Sequence, residues 1–290
     1  MAQRVLRGVA ASLSFTNVDQ NGTPVAAAGA VTAGVTRADG TEVLAAGSAT
    51  TSGGTGVYLR ALTAAQTALL GQLTATWTDA GDSSTHTTTV EVVGGYYFSL
   101  AEARAADTTL ADDTRYPDAT VLRFRQQVEV ECEEICGQAF VPRYRRVRVD
   151  GNGSNGLLLP DPRARAVRSL RIYSGIAYQA YSADELADLV VTDAGEVLRS
   201  SGAVFPSGDD NILVEYEHGW DAPPADLKEA ALTRLRYRLT AARSAIPDRA
   251  TSMQTEGGMT FRLDRPDRRK TGIPEVDATY GRYSATSPIF

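Results

Sequence analysis

Histidine and cysteine are almost missing from this chain, with two of each in 290 residues, and most metal and nucleophile chemistry goes with them. His86 and His218 lie far apart, while Cys132 and Cys136 fall four residues apart in a helical pattern. A Cys/His metal site needs several ligands at short spacing, and no such set is present. The four-residue step puts both thiols on one helix face with vectors that suit a disulfide poorly, so the pattern predicts packed, reduced cysteines. Aromatics are scarce at 7% and glycine counts 26, so small residues dominate. A basic surplus is lacking too. The net charge is −6 and the pI about 5.1, which excludes a protein whose main task is gripping phosphates, because that requires a concentrated basic surface. An acidic wall would instead repel a duplex and let it slide past. No apolar run reaches the roughly 18 residues of a membrane span. The opening MAQRVLRGVAASLSF has no long apolar core of a leader. The expectation is a chain made in the cytoplasm, with no membrane partner.

What charge there is falls unevenly. Only ten charged side chains lie in the first 100 residues, against a total of 29 basic and 35 acidic, so two domains of different character are expected. The first reads as all-β. Leu13 and Phe15 alternate before Asn21-Gly22, Val31, Ala33 and Val35 before Asp39-Gly40, Leu73, Ala75 and Trp77 before Ala80-Gly81, and Thr88, Val90 and Val92 close the series. Residues 1–95 are read as a small immunoglobulin-like sandwich without a disulfide. Leu62–Leu70 is the exception, read as a short helix joining two strands.

Gly94-Gly95 offers a hinge, and Ser99-Leu-Ala-Glu102 has capping-box spacing. Tyr116-Pro117-Asp118 opens a second helix whose stripe is Val121, Phe124, Val128, Cys132 and Ile135, with Gly137 as its stop. Antiparallel strands follow. Val147 and Val149 alternate with arginines, and Leu157-Leu-Leu-Pro160 is a short apolar strand. Val167, Leu170 and Ile172 precede Gly175, and Val190-Val191 and Val197-Leu198 flank Ala194-Gly195. Residues 96–250 therefore read as an α+β domain, two helices with an antiparallel sheet inserted between them.

The stretch Asp210–Leu239 closes that insert and carries most information. Ile212, Val214 and Tyr216 alternate as a strand, His218-Gly219-Trp220 turns, and Pro223-Pro224 suits the first helical positions. Asp221 is a plausible cap. Leu227, Ala231, Leu235, Leu239 and Ala242 then form an apolar stripe fringed by Arg234, Arg236, Arg238 and Arg243. This helix and the one after Pro117 carry the two main stripes and are expected to pack on each other. From about residue 251 the chain changes again. Residues 262–270 are polar and mostly basic, and Ile273, Val276, Tyr280, Tyr283 and Phe290 are spaced apolar anchors. A tail with anchors and no core of its own is disordered or ordered by a partner.

A strand, a Gly-aromatic turn, a double proline and an Asp-Leu-Lys-Glu-Ala-Ala helix, after an "LLLP" strand and a Tyr-rich hairpin, resemble the head-to-tail adaptor (connector) proteins of tailed bacteriophages. The resemblance is strongest over Ser99–Leu239, about half the chain, and is a pattern rather than a catalytic signature. It implies a non-enzymatic structural protein of the virion neck, without cofactor. The α+β domain would form a homo-oligomeric ring of about twelve copies under the portal protein. Genomic DNA would pass through the channel without specific binding, and a stopper or tail-completion protein would sit next in the stack. The tail 251–290 would dock on the portal through Arg262, Arg265, Arg268, Arg269, Lys270, Ile273, Tyr280 and Tyr283. Leu227, Ala231, Arg234, Leu235, Arg238 and Leu239 would pack the helix within the ring. The sandwich departs from the minimal adaptor and would decorate the outside or touch the major capsid protein.

Other readings stand beside this one. The chain also fits a stopper or tail-completion ring of the same neck. It also fits a binding module in which the sandwich recognises carbohydrate or a host surface, although Tyr58 and Trp77 are the chief aromatics there. An enzyme built on His218 with Glu215 and Glu217 lacks a nucleophile or nucleophile elbow, so His218 is read as a turn residue. His86 reads as a surface or strand-packing residue, and Gly151–Gly156 as a hairpin loop, since it lacks the Lys-Ser/Thr of a phosphate cradle. The arginines of Arg143–Arg148 and Arg163–Arg171 form either a nucleic-acid face or partners for carboxylates of a neighbouring copy. The basic tail reads as a solvated linker, a nucleic-acid arm or a docking peptide, the aromatic anchors favouring the last.

Overall fold

Leu73, Ala75 and Trp77 are wholly buried while the residues between them face outward, as the period of two predicts. The computed structural model describes residues 2–51, 54–192, 194–241, 252–254, 260–262 and 270–284. In chain order, eight strands come first: β1 (Gln3–Leu6), β2 (Ala11–Thr16), β3 (Val31–Arg37), β4 (Glu42–Ser48), β5 (Thr50–Thr51), β6 (Val57–Leu62), β7 (Gly71–Asp79) and β8 (Thr85–Val93). Helices α1 (Leu100–Ala106) and α2 (Asp118–Cys136) follow. Then come β9 (Arg143–Gly151), β10 (Gly156–Leu158), β11 (Ala164–Tyr173), β12 (Tyr178–Ala180), α3 (Ala183–Ala187), β13 (Leu189–Val191), β14 (Glu196–Arg199) and β15 (Gly208–His218). Last are α4 (Ala225–Ala241), the paired β16 (Ser252–Gln254) and β17 (Thr260–Arg262), and α5 (Pro274–Arg282). The class is mixed α+β with several antiparallel sheets.

The first 95 residues form a five-stranded sheet in the order β1-β8-β7-β3-β4 and a three-stranded sheet in the order β2-β6-β5. Both contribute to one core, in which Leu13, Tyr58 and Leu62 meet Val35, Leu73, Trp77 and Val90. Every pairing but one is antiparallel; β1 runs parallel to β8. Trp77 lies against Phe15 at 5.5 Å and donates its indole N–H to Thr88 Oγ1. Phe15 also stacks on His86 at 5.0 Å, which makes His86 a packing residue of a strand. The Asp79 carboxylate closes one end by accepting the N–H groups of Ala28, Gly29 and Gly81. Residues after Leu62 make no helix. They run as turns in which the Thr67 hydroxyl donates to the Val9 carbonyl, because five of the nine residues are Ala or Thr with no stripe long enough to bury.

Compactness divides the chain into two units: Met1–Gly95 with Pro142–His218, and Tyr96–Val141 with Gly219–Phe290. In the first, β9, β11, β12 and β15 form a sheet in the order β12-β11-β15-β9, and β10, β14 and β13 form another. Ile212, Val214 and Tyr216 of β15 share a core with Leu157, Leu170, Val197 and Phe205. The Gly151–Gly156 segment is not a hairpin, since β9 and β10 lie in different sheets. It is a crossing, fixed where the Gly151 N–H donates to the Asn211 side chain.

In the second unit, α1 carries the expected capping box, with Ser99 and Glu102 exchanging hydrogen bonds. Helix α2 ends on Gly137 in the left-handed region. Its buried Val121, Val128, Cys132 and Cys136, with Phe124 and Ile135 at the margin, pack with Leu227, Ala231, Leu235 and Leu239 of α4. The two stripes do pair. Cys132 and Cys136 are free and buried, Sγ to Sγ 3.9 Å, and burial pushes the Cys132 thiol far above its ordinary range.

Candidate functional site

The helical unit is the place to look for a docking device, since the sequence concentrates its candidate residues there. Gly219 has φ +97° and a Cβ there would meet the Val141 carbonyl, so only glycine fits the turn before α4. Trp220 N–H donates to the Ala139 carbonyl, and the Pro224 carbonyl accepts the first helical bond from Lys228. The double proline thus ends where α4 begins, as its fixed φ suits.

Leu227, Ala231, Leu235 and Leu239 all face inward, at 2% exposure or less. Arg234 and Arg238 sit on the flank of α4 and converge on Glu131 of α2. The Arg234 Nε and Nη2 donate at 2.8 Å to its two oxygens, and Arg238 Nη2 donates at 2.9 Å. Burial alone would raise the Glu131 carboxyl, but the two guanidiniums outweigh it and hold it below its ordinary value. The helix residues predicted for ring packing therefore pack inside the chain. The α4 residues Arg236 and Tyr237 point outward, Arg236 pairing with Asp107 at 2.8 Å.

The anchors of the tail are also used internally. Val276 and Tyr280 of α5 are fully buried in the α2–α4 core, and Ile273 and Tyr283 pack at its edge. Tyr283, Phe140 and Trp220 form a ring cluster with centroids 5.8 to 6.2 Å apart. The Tyr283 hydroxyl donates to Asp226 at 2.8 Å, Arg282 pairs with the same carboxylate at 3.0 Å, and Gln138 donates to the Tyr283 carbonyl. The hydrogen bond from Tyr283 holds Asp226 below the usual carboxylate range. Asp277 caps α5 from within by accepting the N–H groups of Thr271 and Gly272. This segment is ordered by its own chain, because its anchors meet apolar faces of α2 and α4. Lys270 is exposed. Arg262 lies in β17, and Arg265, Arg268 and Arg269 lie outside the described residues.

In the strand-rich unit the arginine ladder finds carboxylates within the chain. Arg143 pairs with Glu91, Arg145 with Asp161, Arg146 with Glu215 and Arg168 with Glu217. The expectation that these four serve a neighbouring copy or nucleic acid is corrected accordingly. Cross-strand register explains the change, since Arg146 lies directly opposite Glu215 in β15. His218 is the last residue of β15 rather than a turn residue. It is 8% exposed, with Nε2 3.9 Å from Asp161 and Nδ1 making no hydrogen bond. Asp161 is already engaged by Arg145 and by the Tyr216 hydroxyl at 2.5 Å. Burial lowers the His218 pKa below 6.5, outweighing the pull of Asp161. The neutral ring is thus the native form, and its stabilising share is full above pH 6.5 and lost as pH falls below it. His218→Gln is expected to flatten the fall in stability between pH 7 and 5, measured by urea unfolding at each pH; an unchanged slope would refute the assignment.

No family model matches this chain, and no curated protein does. Among solved structures it is similar to a chain of the neck of an empty GTA particle computed with C6 symmetry, with TM-score 0.43 and 14% identity over 67% of this chain and 92% of that one. It is similar, too, to a chain of the virion of a native gene transfer agent (GTA) particle, at 0.43 and 17% over the same shares. A chain of the native GTA neck computed with C12 symmetry gives 0.41 and 13% over 68% and 97%. Scores of this size bear on neither mechanism nor partners.

Among the described residues no group of three or more His, Cys, Asp or Glu is placed to hold a metal, and no helix is long and apolar enough to cross a membrane. Sequence reasoning missed Glu131 and Asp226 as the carboxylates that organise the helical unit. The one available signal was helical phase, since Glu131 sits next to the buried Cys132 on the α2 stripe.

Proposed function

We propose that this chain is a head-to-tail adaptor of a tailed bacteriophage, a structural, non-enzymatic component of the virion neck assembled in the host cytoplasm. The observation that carries the reading is the pairing of α2 and α4 in one core, while the chain between them folds as antiparallel sheets and re-enters through β15, Gly219 and the double proline. That is the order of elements on which the resemblance rests. In this reading copies of the chain form a ring under the portal protein, with a stopper or tail-completion protein next in line and DNA passing through the centre. The first 95 residues, an immunoglobulin-like decoration, face the capsid or the outside. Because the apolar stripe of α4 is filled by α2 and α5, ring contacts fall to outward residues such as Tyr237. Portal docking falls to the basic stretch ending at Lys270, with α5 as the fixed end from which that stretch is held. A stopper ring of the same neck differs in its neighbour rather than its fold. A carbohydrate-binding sandwich is disfavoured because Tyr58 and Trp77 are both buried.

Mass photometry of the chain alone and with its phage's portal tests this. A portal stack gaining about a dozen copies is expected from closed ring symmetry, and charge reversal at Arg265, Arg268 and Arg269 with α5 intact is expected to abolish it. A chain that ignores the portal would overturn the adaptor reading.

A further inference from the structure

Of the seven arginines of β9 and β11, Arg143, Arg145, Arg146 and Arg168 pair with carboxylates of the same chain, and Arg148 and Arg171 stand apart from them. Arg148 and Arg171 lie opposite Leu213 of β15, one on each side, so the three side chains share a face of the sheet. At about 4.8 Å per strand the two arginines start about 10 Å apart. Neither has a carboxylate within ion-pair distance among the described residues. Among the described residues the Arg148 guanidinium lies over the ring of Tyr178, at 5.5 Å, and the Arg171 Nε is shielded from water without a hydrogen-bond partner. Leu213, at 8% exposure, lies covered between them. Beyond them Tyr173 and Tyr178 face each other at 5.3 Å across the β11–β12 hairpin, and its tip projects Ile176 at 93% exposure. Two unmatched guanidiniums, two tyrosines and a bare isoleucine make a surface of the composition that dominates protein interfaces, and an isolated hairpin gains nothing from leaving it wet.

We propose that this face is the interface by which one copy of the chain binds the next, and that the acidic turn Asp112-Asp113 of the neighbour fills it. The inference rests on the ring reading and adds its contact. Charge complementarity selects the occupant. Asp112 and Asp113 are exposed neighbours whose carboxylates, among the described residues, accept local hydrogen bonds from the Arg115 N–H and the Thr114 hydroxyl and make no ion pair. A basic sheet face meeting a different, acidic turn is a heterologous contact, the kind that propagates around a closed ring. Nucleic acid is the weaker occupant, since two arginines on a chain of net charge −6 give little counterion release.

The test compares full-length wild type, Arg148→Glu/Arg171→Glu, Asp112→Arg/Asp113→Arg and the combined four-site variant by mass photometry and sedimentation. Each double variant is expected to raise the concentration needed for ring assembly by about 100-fold, as loss of central interface residues does. The combined variant is expected to recover assembly, and thermal unfolding is expected to change little in all, because among the described residues these charges make no ion pair within a copy. A wild-type ring weakened by salt would agree. A ring that survives Arg148→Glu/Arg171→Glu would overturn the interface and leave the ring reading standing. A wild-type chain that stays monomeric at every concentration would overturn both. Intact rings of that variant that lose affinity for a labelled DNA duplex would overturn it in favour of nucleic acid.

Discussion

Tyr280→Ala is expected to destabilise the helical unit by about 3–5 kcal/mol, the range for deleting a large aromatic from a packed core. Its ring is fully buried among α2, α4 and α5, beside Cys132 and Cys136, whose Sγ lies 3.5 Å from the Tyr280 carbonyl. Removing it leaves a cavity lined from three helices, and α5 has only Val276 as a second fully buried anchor. Loss of Tyr280 therefore removes the larger of the two fully buried anchors of α5. Two tryptophans, Trp77 in the first unit and Trp220 in the second, make the measurement selective. In a Trp77→Phe background, Trp220 fluorescence follows the helical unit alone during urea unfolding. Tyr280→Phe is the control. Among the described residues the buried hydroxyl meets no hydrogen-bond partner by distance and angle, so its removal is expected to cost little or to stabilise slightly. A small loss for Tyr280→Ala would mean that α5 is not a structural part of this unit, and a large one for Tyr280→Phe would mean that the hydroxyl has a partner in the core. The same result bears on docking experiments, because a truncation before α5 removes core as well as tail.

The sequence shows the elements of this fold more plainly than their grouping. Period-two runs such as Leu73–Trp77 and the α2 and α4 stripes are local signals, and the structure follows them. Gly137 and the Ser99–Glu102 box mark helix ends for reasons that lie within a few residues. What failed depended on partners distant in sequence. Arg143 and Glu91 are 52 residues apart, Arg145 and Asp161 lie in different segments, and no spacing rule joins them. Reading the ladder as a nucleic-acid face or as partners for a neighbouring copy's carboxylates followed from seeing only one half of each pair. The tail failed for a similar reason. Ile273, Val276, Tyr280 and Tyr283 were legible as anchors at helical spacing, yet the surface that receives them is built by helices more than 30 residues earlier. Leu62–Leu70 erred the other way, since a helix-compatible composition is too weak to hold a helix that has no apolar stripe.

Glu131→Ala carries the second large effect, an expected loss of about 2–3 kcal/mol from the same unit. Arg234 is 7% exposed and Arg238 half-buried, and Glu131 answers both. Without the carboxylate, two guanidiniums at the α2–α4 contact lose the counter-charge they share. The cost is then one of stranded charge rather than of lost packing. Two variants separate these. Glu131→Gln keeps the volume and loses the charge, so it is expected to retain most of the defect. Glu131→Leu with Arg234→Met and Arg238→Met replaces the network by apolar side chains of similar size and is expected to recover most of the stability. Acid adds a third reading. Because the folded carboxyl is held below its ordinary 4.5, its contribution is complete above that pH and declines as pH falls below it. The urea midpoint of the Trp220 transition is thus expected to drop on acidification in the wild type and less so in Glu131→Gln. Equal midpoints for wild type and Glu131→Ala at pH 7 would show that the guanidiniums are satisfied by solvent. The α2–α4 contact would then be held by its apolar stripe alone.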